Sequence, residues 1–405
     1  MMKAYHVTIA FKSLAAHRRK TWAIVLSITV GICALVLVGG YYEYSFWGLK
    51  ESLIRSQYGH LQIYPEGYRK NRDTDPFLHE IKNHDVLISL LERNRDIRVA
   101  APRSRALALA NGSPVELWGV DPERERELFT FFTSKRGSGL ASGDTGVCQM
   151  SPLLADALGL KINDIVTLAG VRPDSQLNAI TVKVQSLMGS YAEEFDRMVV
   201  VVPSSSFLDL FGTDMVHEIA VLYRNDRDLS ARRFALQNQL IEQGWETDIA
   251  VWYEQAVYYS QVVEYYNGFY RIVLTVVAVI VFFITAATMS LSLLERIREF
   301  GTCLAMGTRK RTLVAQILNE AVLTGIIGLM AGAIVSFTIA RVINAAGGIE
   351  MPAAPGMTGS IRVFIRFSIQ AAAFSLATAL VIPALAVMVP ARRIMSRTIV
   401  DLLNE

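Results

Sequence analysis

The chain has 405 residues, of which 52% are hydrophobic and 19% charged, and its mean hydropathy is +0.32. The net charge of +3 is too small for the basic footprint of a nucleic-acid-binding protein, so no nucleic-acid partner is expected. Four windows of about 20 residues are almost free of charge, which excludes an ordinary soluble protein and predicts membrane-spanning helices.

Residues 1–20 predict a basic amphipathic helix at the membrane interface, because apolar residues recur there at helical spacing. Residues 21–43 form the first predicted span. The basic cluster before this span places the N-terminus in the cytoplasm by the positive-inside rule. The span is too long for the apolar part of a signal peptide, and no A-x-A-like cleavage site follows it.

Residues 44–270 have the composition of a folded external domain that mixes helices and strands. Its clearest unit is a helix with Ser151 as the N-cap, Pro152 at the first position and Gly159 near the end, followed by a strand. Residues 254–266 predict a helix that enters the second span.

Three further spans are predicted at residues 271–295, 313–340 and 367–389. Basic clusters follow the second and fourth spans, so both termini and the connection at residues 296–312 are expected in the cytoplasm. The remaining segments are an external loop at residues 341–366 and a cytoplasmic tail at residues 390–405. The predicted fold class is a membrane α-helical protein with four transmembrane helices, one plus three, and a large extracytoplasmic α/β (α+β) domain.

The sequence predicts no catalytic or metal site. It contains no G-x-x-x-x-G-K-[ST] phosphate-binding loop, so this chain is not expected to hydrolyse a nucleotide by itself. His79 and His84 would lie about 140° apart around a helix, so they do not form the i, i+4 pair of a zinc helix. Cys33, Cys148 and Cys303 fall in different predicted compartments, so no intrachain disulfide is expected.

Glu320 is the one acidic residue well inside a predicted span. An intramembrane carboxylate is a functional candidate by default, and two roles are open. It could pair with a basic or hydroxyl group in a structural or coupling role, or it could transfer protons. Gly325, Gly328 and Gly332 form a small-residue face suited to close packing of helices.

The connection between the second and third spans predicts a short helical elbow at the membrane surface. Its basic residues could serve only as topology anchors. A pure anchor would not need Glu295, Glu299, Phe300, Leu304 and Met306, which are interleaved with them. The alternative is therefore a surface on which another protein docks.

Residues 295–302 read E-R-I-R-E-F-G-T and are followed by A-M-G at 305–307 and E-A-V-L-T-G at 320–325. This pattern resembles the E-R-x-R-E-I-G-T…A-x-G…E-A…G signature of MacB/FtsX-type ABC transporter permeases. In the external domain, G-V-D-P at 119–122 and L-A-D-A-L-G-L-K-I-N-D-I-V-T-L at 154–168 resemble two segments of the same family. The one-plus-three arrangement without a fused ATPase is most similar to the LolC/LolE lipoprotein-releasing branch.

The resemblance implies that two permeases, either identical copies or paralogues, assemble with two copies of a separate ABC ATPase. ATP and Mg²⁺ would bind to that ATPase, and this chain would be a non-catalytic subunit of the bacterial inner membrane with no cofactor of its own. The elbow would be the coupling helix on the ATPase. The implied ATPase-coupling residues are Glu295, Arg296, Arg298, Glu299, Phe300, Gly301, Leu304, Met306 and Gly307; Glu320, Gly325, Gly328 and Gly332 would carry the motion through the spans.

Three functions fit this organisation. The expected one is ATP-driven movement of the external domain that extracts or exports a lipoprotein or another lipophilic substrate from the membrane lipid. The alternatives are FtsX-like regulation of an external cell-wall enzyme, and efflux of drugs or peptides with an adaptor and an outer duct. The external domain alone cannot separate them, because a fold does not fix a function.

Overall fold

The computed structural model describes residues 18–72, 74–131, 134–190, 192–351 and 361–396, together with residue 398. The predicted interfacial helix at residues 1–20 lies almost wholly outside the described residues, as does the end of the predicted tail. The chain divides into two compact units. The helical unit contains residues 1–46, 263–349 and 362–405, and the α/β unit contains residues 47–262 and 350–361.

The elements of the first half are α1 (Arg18–Leu53), a π-turn (Ile54–Tyr58), β1 (Leu61–Pro65), α2 (Tyr68–Asn71), α3 (His84–Glu92), β2 (Ile97–Ala110), β3 (Ser113–Val120), α4 (Pro122–Leu128), β4 (Ser134–Gly137), β5 (Val147–Met150), α5 (Pro152–Leu158), β6 (Ile165–Val171) and β7 (Leu177–Gly189). Those that follow are α6 (Glu193–Met198), β8 (Val199–Pro203), α7 (Ser204–Phe211), β9 (Glu218–Tyr223), α8 (Leu229–Glu242), β10 (Thr247–Val251), α9 (Trp252–Gln255), α10 (Val257–Leu294), α11 (Ile297–Ala305), α12 (Lys310–Ala345), β11 (Ile349–Met351), β12 (Ile361–Val363) and α13 (Ile369–Ser396).

Four helices among the described residues are long and apolar enough to cross a membrane: α1, α10, α12 and α13. Their inward side chains form one core, to which α1 contributes Ile28 and Ile32, α12 contributes Ile317, and α13 contributes Ala379. The predicted fold class of four membrane helices and an α/β domain is confirmed. α1 continues to Leu53, past the predicted end of its span at residue 43. α10 begins at Val257, before the predicted start of its span at residue 271, as expected for a helix that enters this span. Neither helix contains a proline that would interrupt it.

The α/β unit is built on a ten-stranded mixed sheet in the order β10-β1-β9-β2-β3-β8-β5-β7-β4, and β6 pairs with β2 and β7. Antiparallel pairs dominate, and β8 runs parallel to β3. Two apolar cores lie along this sheet: one gathers around β1, β9 and α8, and the other around β3, β6 and α7.

The predicted start and end of α5 are confirmed. Ser151 has extended backbone angles, and its Oγ accepts a hydrogen bond from the backbone N–H of Leu154 at 3.0 Å. Pro152 begins the helix, and Gly159 ends it at a φ of +68° that glycine adopts without strain.

The predicted single helix over residues 254–266 is wrong in one respect, because the chain breaks at Ala256 between α9 and α10. Trp252 at the start of α9 is buried in the first apolar core. Its burial fixes α9 against the sheet, so the chain changes direction before the long helix begins.

A cluster of buried charged residues is centred on Arg103 of β2, and the sequence did not predict it. Arg103 is fully buried and donates bidentate hydrogen bonds to Glu125 at 2.7 and 3.0 Å and a third to Glu218 at 3.1 Å. Arg103 also donates to the backbone carbonyl of Gln57, in the π-turn that follows α1. The guanidinium thereby satisfies a carbonyl at the end of that helix, where intrahelical partners run out.

Two histidines of the α/β unit are buried and act as hydrogen-bond acceptors. His217 Nδ1 accepts from the backbone N–H of Arg105 at 2.9 Å, and His60 Nδ1 accepts from the backbone N–H of Tyr223 at 3.0 Å. The pKa of each imidazole is lowered from 6.5 to about 4, mainly by burial, and the charge of Arg105 contributes to the lowering at His217.

Acid should therefore destabilise the α/β unit between pH 6.5 and about pH 4. In this window each histidine binds a proton in the unfolded chain but not in the folded chain. The free energy of unfolding should fall by up to about 1.4 kcal/mol per pH unit for each histidine. Urea denaturation of the full-length protein in detergent, followed by tryptophan fluorescence across this pH range, measures the slope.

The substitution His217→Gln keeps a side-chain acceptor and removes one titrating group, so it should reduce that slope. His84→Gln changes a partly exposed histidine of α3 and serves as the control. Equal slopes in the wild type and the two variants would contradict the assignment of His217 as a buried neutral acceptor.

Cys148 lies on β5 and has no solvent exposure. Burial in apolar surroundings raises the pKa of its thiol to about 12. Cys33 and Cys303 are half-buried, and the structure holds all three cysteines as free thiols.

Candidate functional site

The elbow between the second and third long helices folds into α11, which is amphipathic. Ile297, Phe300 and Leu304 follow the i, i+3, i+7 spacing of one helical face, and each is less than 10% exposed. They pack into the core of the helical unit together with residues of α1, α12 and α13. The apolar face therefore holds α11 against the spans.

The opposite face of α11 is exposed. It carries Arg298, Glu299 and Thr302, and the exposed Met306 follows at its end with 75% of its surface accessible. Met306 adds a large apolar side chain to a surface that is otherwise charged or polar, and methionine is enriched at protein–protein interfaces.

Gly307 ends the elbow helix. Its φ of +89° is in the left-handed region, and its N–H donates to the carbonyl of Leu304 at 3.0 Å. The next N–H, of Thr308, donates to the carbonyl of Cys303 at 3.1 Å. These bonds close the helix and allow the chain to turn into α12.

Arg296, just before α11, forms an ion pair with Glu320 of α12, with 2.9 Å between Arg296 Nη1 and Glu320 Oε2. Both side chains are about nine-tenths buried. Arg296 also bonds Glu299 at 3.0 Å and lies over the ring of Phe300 at 5.2 Å. Gln316 donates to the other oxygen of Glu320 at 3.4 Å, and a cavity of about 40 Å³ adjoins the pair.

The three predicted glycines of α12 lie on its buried face and contact two different helices. A Cβ on Gly325 would lie 2.0 Å from the carbonyl oxygen of Ala379 in α13. On Gly328 and Gly332 it would lie 2.6 Å and 2.8 Å from Ile28 and Ile32 of α1. The absence of side chains therefore permits backbone contact across α12 on both sides.

The structure divides the predicted coupling residues into two groups. Arg296, Phe300, Gly301 and Leu304 are buried within the helical unit, so they hold the elbow in place and are not available to a partner. Those exposed at the surface are Glu295, Arg298, Glu299, Met306 and Gly307.

Glu320 has the basic partner that one interpretation of the sequence required, and that partner comes from the elbow. The sequence did not predict that Gln316 donates a hydrogen bond to Glu320 or that Ile297 packs into the core of the helical unit. The spacing of Ile297, Phe300 and Leu304 was the signal that could have identified the buried face of the elbow.

Among the described residues, no group of three or more His, Cys, Asp or Glu side chains is placed to hold a metal ion. His79 instead contacts Asn71, with 3.1 Å between His79 Nε2 and Asn71 Nδ2. The elbow combines a buried ion pair with an exposed face that carries charged side chains.

Comparison with known proteins gives two family matches, which together cover most of the chain. Residues 21–239 match the MacB-like periplasmic core domain, and residues 271–399 match the FtsX-like permease C-terminal domain. The second match contains the elbow and the helices on both sides of it.

Two curated relatives are macrolide export ATP-binding/permease proteins MacB. The chain is 24% identical over 182 residues to the protein of Psychrobacter arcticus and 22% identical over 182 residues to that of Psychrobacter cryohalolentis. Each alignment covers 44% of this chain, and the chain spans only 27% of the length of each relative.

Two solved structures resemble the chain. The periplasmic region of MacB from Actinobacillus actinomycetemcomitans is 13% identical, with a TM-score of 0.36, covering 52% of this chain and 95% of that one. The extracellular domain of the noncanonic ABC-type transporter YknZ from Gram-positive bacteria is also 13% identical, with a TM-score of 0.34 and coverages of 47% and 98%. Because the periplasmic core domain match alone exceeds half of the sequence, this chain belongs to the MacB/FtsX-type family of ABC transporter permeases.

Proposed function

We propose that this chain is the non-catalytic permease subunit of an ABC transporter and that α11 is its coupling helix. A separate ATPase, in two copies, would bind ATP and Mg²⁺. It would contact the exposed face of α11 and transmit its conformational change to that helix. A second permease, identical or paralogous, would complete the complex in the bacterial inner membrane, with both termini in the cytoplasm.

The buried ion pair between Arg296 and Glu320 is the observation that supports coupling. It ties the start of α11 to the third long helix, and the apolar face of α11 adds packing against the other spans. A force on the exposed face would therefore move α11 and α12 together, because densely packed helices transmit displacement.

The exposed face of α11 fits a docking site because it combines charge with an apolar anchor. Arg298 and Glu299 offer charges of opposite sign, and Met306 offers a flexible apolar side chain. Such a surface can fix the orientation of a partner through its charges while Met306 enters a groove.

Reversing the charge of Arg298 should weaken ATPase binding without unfolding the permease. Arg298→Glu is expected to lower the affinity for the separately encoded ATPase by about tenfold, because an attractive contact becomes a repulsive one. Co-purification and ATP turnover of the reconstituted complex measure this effect.

Arg341→Glu is the matched control for that experiment, since Arg341 is exposed at the far end of α12. It should retain wild-type binding of the ATPase. If Arg298→Glu and Arg341→Glu bound the ATPase as the wild type does, α11 would not be the coupling helix.

The proposed substrate is a lipoprotein or another lipophilic molecule taken from the outer leaflet. The four spans are predominantly apolar and give little support to a polar pore, whereas the α/β unit is large enough to act on a substrate outside the membrane. Mass spectrometry of molecules released from the complex on ATP addition tests this. ATP-dependent activation of an external cell-wall enzyme with no molecule released would instead support regulation.

A further inference from the structure

A cavity of about 860 Å³ opens in the α/β unit and has no role in the proposed coupling. Its walls include Gln57 and Tyr58 at the end of the π-turn, and Ala256 and Tyr259 where α10 begins. The volume lies within the range of pockets that hold small ligands. An occupant would touch the sheet, the π-turn that follows α1 and the first turn of α10, all of which lie within the α/β unit.

Aromatic and apolar side chains line the cavity. Tyr58, Phe195 and Tyr259 line it, together with Leu107 and Met198. Leu107 is 64% exposed and Met198 is 43% exposed, although both are large apolar side chains. Their exposure at a concave surface is typical of a site that takes an apolar chain or ring.

Charged side chains also line the cavity, and the two signs are present in equal number. Three guanidinium groups and three carboxylates line the cavity, and they belong to Arg72, Arg105, Arg197, Glu116, Glu193 and Glu194. A ligand with a net charge would therefore meet repulsion as well as attraction. A ligand that carries both charges can place each one beside an opposite charge of the wall.

Arg105 shows that the charged part is fixed in place. Its guanidinium lies 4.0 Å from the centre of the Trp118 ring, and its Nη2 lies 2.7 Å from Glu218 Oε2. Its buried Nε–H has no hydrogen-bond acceptor among the described residues. Glu116 accepts a hydrogen bond from Trp118 Nε1 at 2.9 Å, so Trp118 contacts both the guanidinium of Arg105 and the carboxylate of Glu116.

We propose that this cavity binds a zwitterionic amphiphile, with its dipolar head among the arginines and carboxylates and its chain against Tyr58, Phe195, Met198 and Tyr259. The site goes beyond the proposed coupling function, because binding requires neither the ATPase nor movement of α11. The occupant would link the end of the π-turn to the start of α10 and so oppose a change in their spacing.

Native mass spectrometry of the full-length protein in nonionic detergent tests the proposal. The probes are lysophosphatidylethanolamine, which is zwitterionic, lysophosphatidylglycerol, which is anionic, and an alkyltrimethylammonium cation of equal chain length. The zwitterion is expected to be retained at one molecule per chain, with an affinity about tenfold above that of either charged probe. Equal retention of the three probes would overturn the proposal.

Two variants place the bound molecule in the cavity. Met198→Trp fills the apolar wall and should abolish retention, whereas Leu208→Trp alters a side chain of α7 with nearly the same exposure, 44%, and should not. Retention that survives Met198→Trp would assign the molecule to the membrane-facing helices and overturn the site.

Glu194→Lys should change the preference among the probes, an effect that nonspecific binding or misfolding would not produce. The exposed carboxylate lines the cavity, so reversing its charge should shift the preference from the zwitterion to the anionic probe. Glu242→Lys makes the same change in charge at the exposed end of α8, outside the cavity lining, and should leave the preference unchanged. An unchanged preference in Glu194→Lys would contradict recognition of the head group by this wall.

Discussion

Glu320→Ala should destabilise the elbow by about 3–5 kcal/mol, because it leaves the buried guanidinium of Arg296 without its main counter-charge. The loss should appear as faster hydrogen–deuterium exchange of α11 in the full-length protein and as a lower melting temperature. If α11 couples the ATPase to the spans, ATP turnover should also become independent of the permease.

Two further variants separate the buried pair from a general effect of lost charge. Glu264→Ala removes an exposed glutamate of α10 and should change stability by less than about 0.5 kcal/mol. The double variant Arg296→Met with Glu320→Leu should recover most of the stability, since apolar residues of similar volume can replace a buried pair. Unchanged protection of α11 in Glu320→Ala would show that the pair does not hold the elbow.

Gly325→Ala should disrupt the contact between α12 and α13 more than any other alanine substitution at the three predicted glycines. The added Cβ would lie 2.0 Å from the carbonyl oxygen of Ala379, and a backbone atom cannot move aside as a side chain can. Overpacking of this kind costs about 1–3 kcal/mol or more. Thermal unfolding of the purified permease and its folded yield from membranes measure the loss.

Gly268→Ala is the control, because a Cβ there has no atom within 4 Å although Gly268 also lies in a long helix. Both substitutions gain about 1 kcal/mol of helix propensity. The difference between their effects on the free energy of unfolding therefore reports the packing of α12 against α13. Gly328→Ala and Gly332→Ala should fall between, since they press on the side chains of Ile28 and Ile32. An equal effect at Gly325 and Gly268 would contradict close contact of α12 and α13.

The sequence was sufficient to predict the spans, since about 20 uncharged residues in a row leave few alternatives to a membrane helix. It also predicted α5, because Ser151, Pro152 and Gly159 each act locally. The break at Ala256 could not be predicted from the local sequence, because it depends on the burial of Trp252 in a core formed by distant strands. The Arg103 cluster likewise joins residues that are far apart in the chain, from Gln57 to Glu218.

The coupling residues were found by their motif, but the motif did not tell buried residues from exposed ones. Arg296 and Arg298 are two positions apart and therefore point to different sides of the chain: one meets Glu320 and the other reaches the surface. Which one is buried depends on the position of Glu320, 24 residues later, and on the packing of Phe300. A periodicity test restricted to α11 recovers the apolar face but not the partner of Arg296.

Because the thiol of Cys148 is buried, labelling experiments on the α/β unit do not require removal of a natural cysteine from that unit. A membrane-impermeant maleimide needs an accessible thiolate, and the thiol of Cys148 is both inaccessible and held protonated by its surroundings. A single cysteine introduced at an exposed position of the α/β unit would therefore be the reporter for that unit in intact cells. Cys303, half-buried on α11, provides a natural reporter for the elbow, so reagent added to sealed cells or to inverted vesicles can determine on which side of the membrane each one lies.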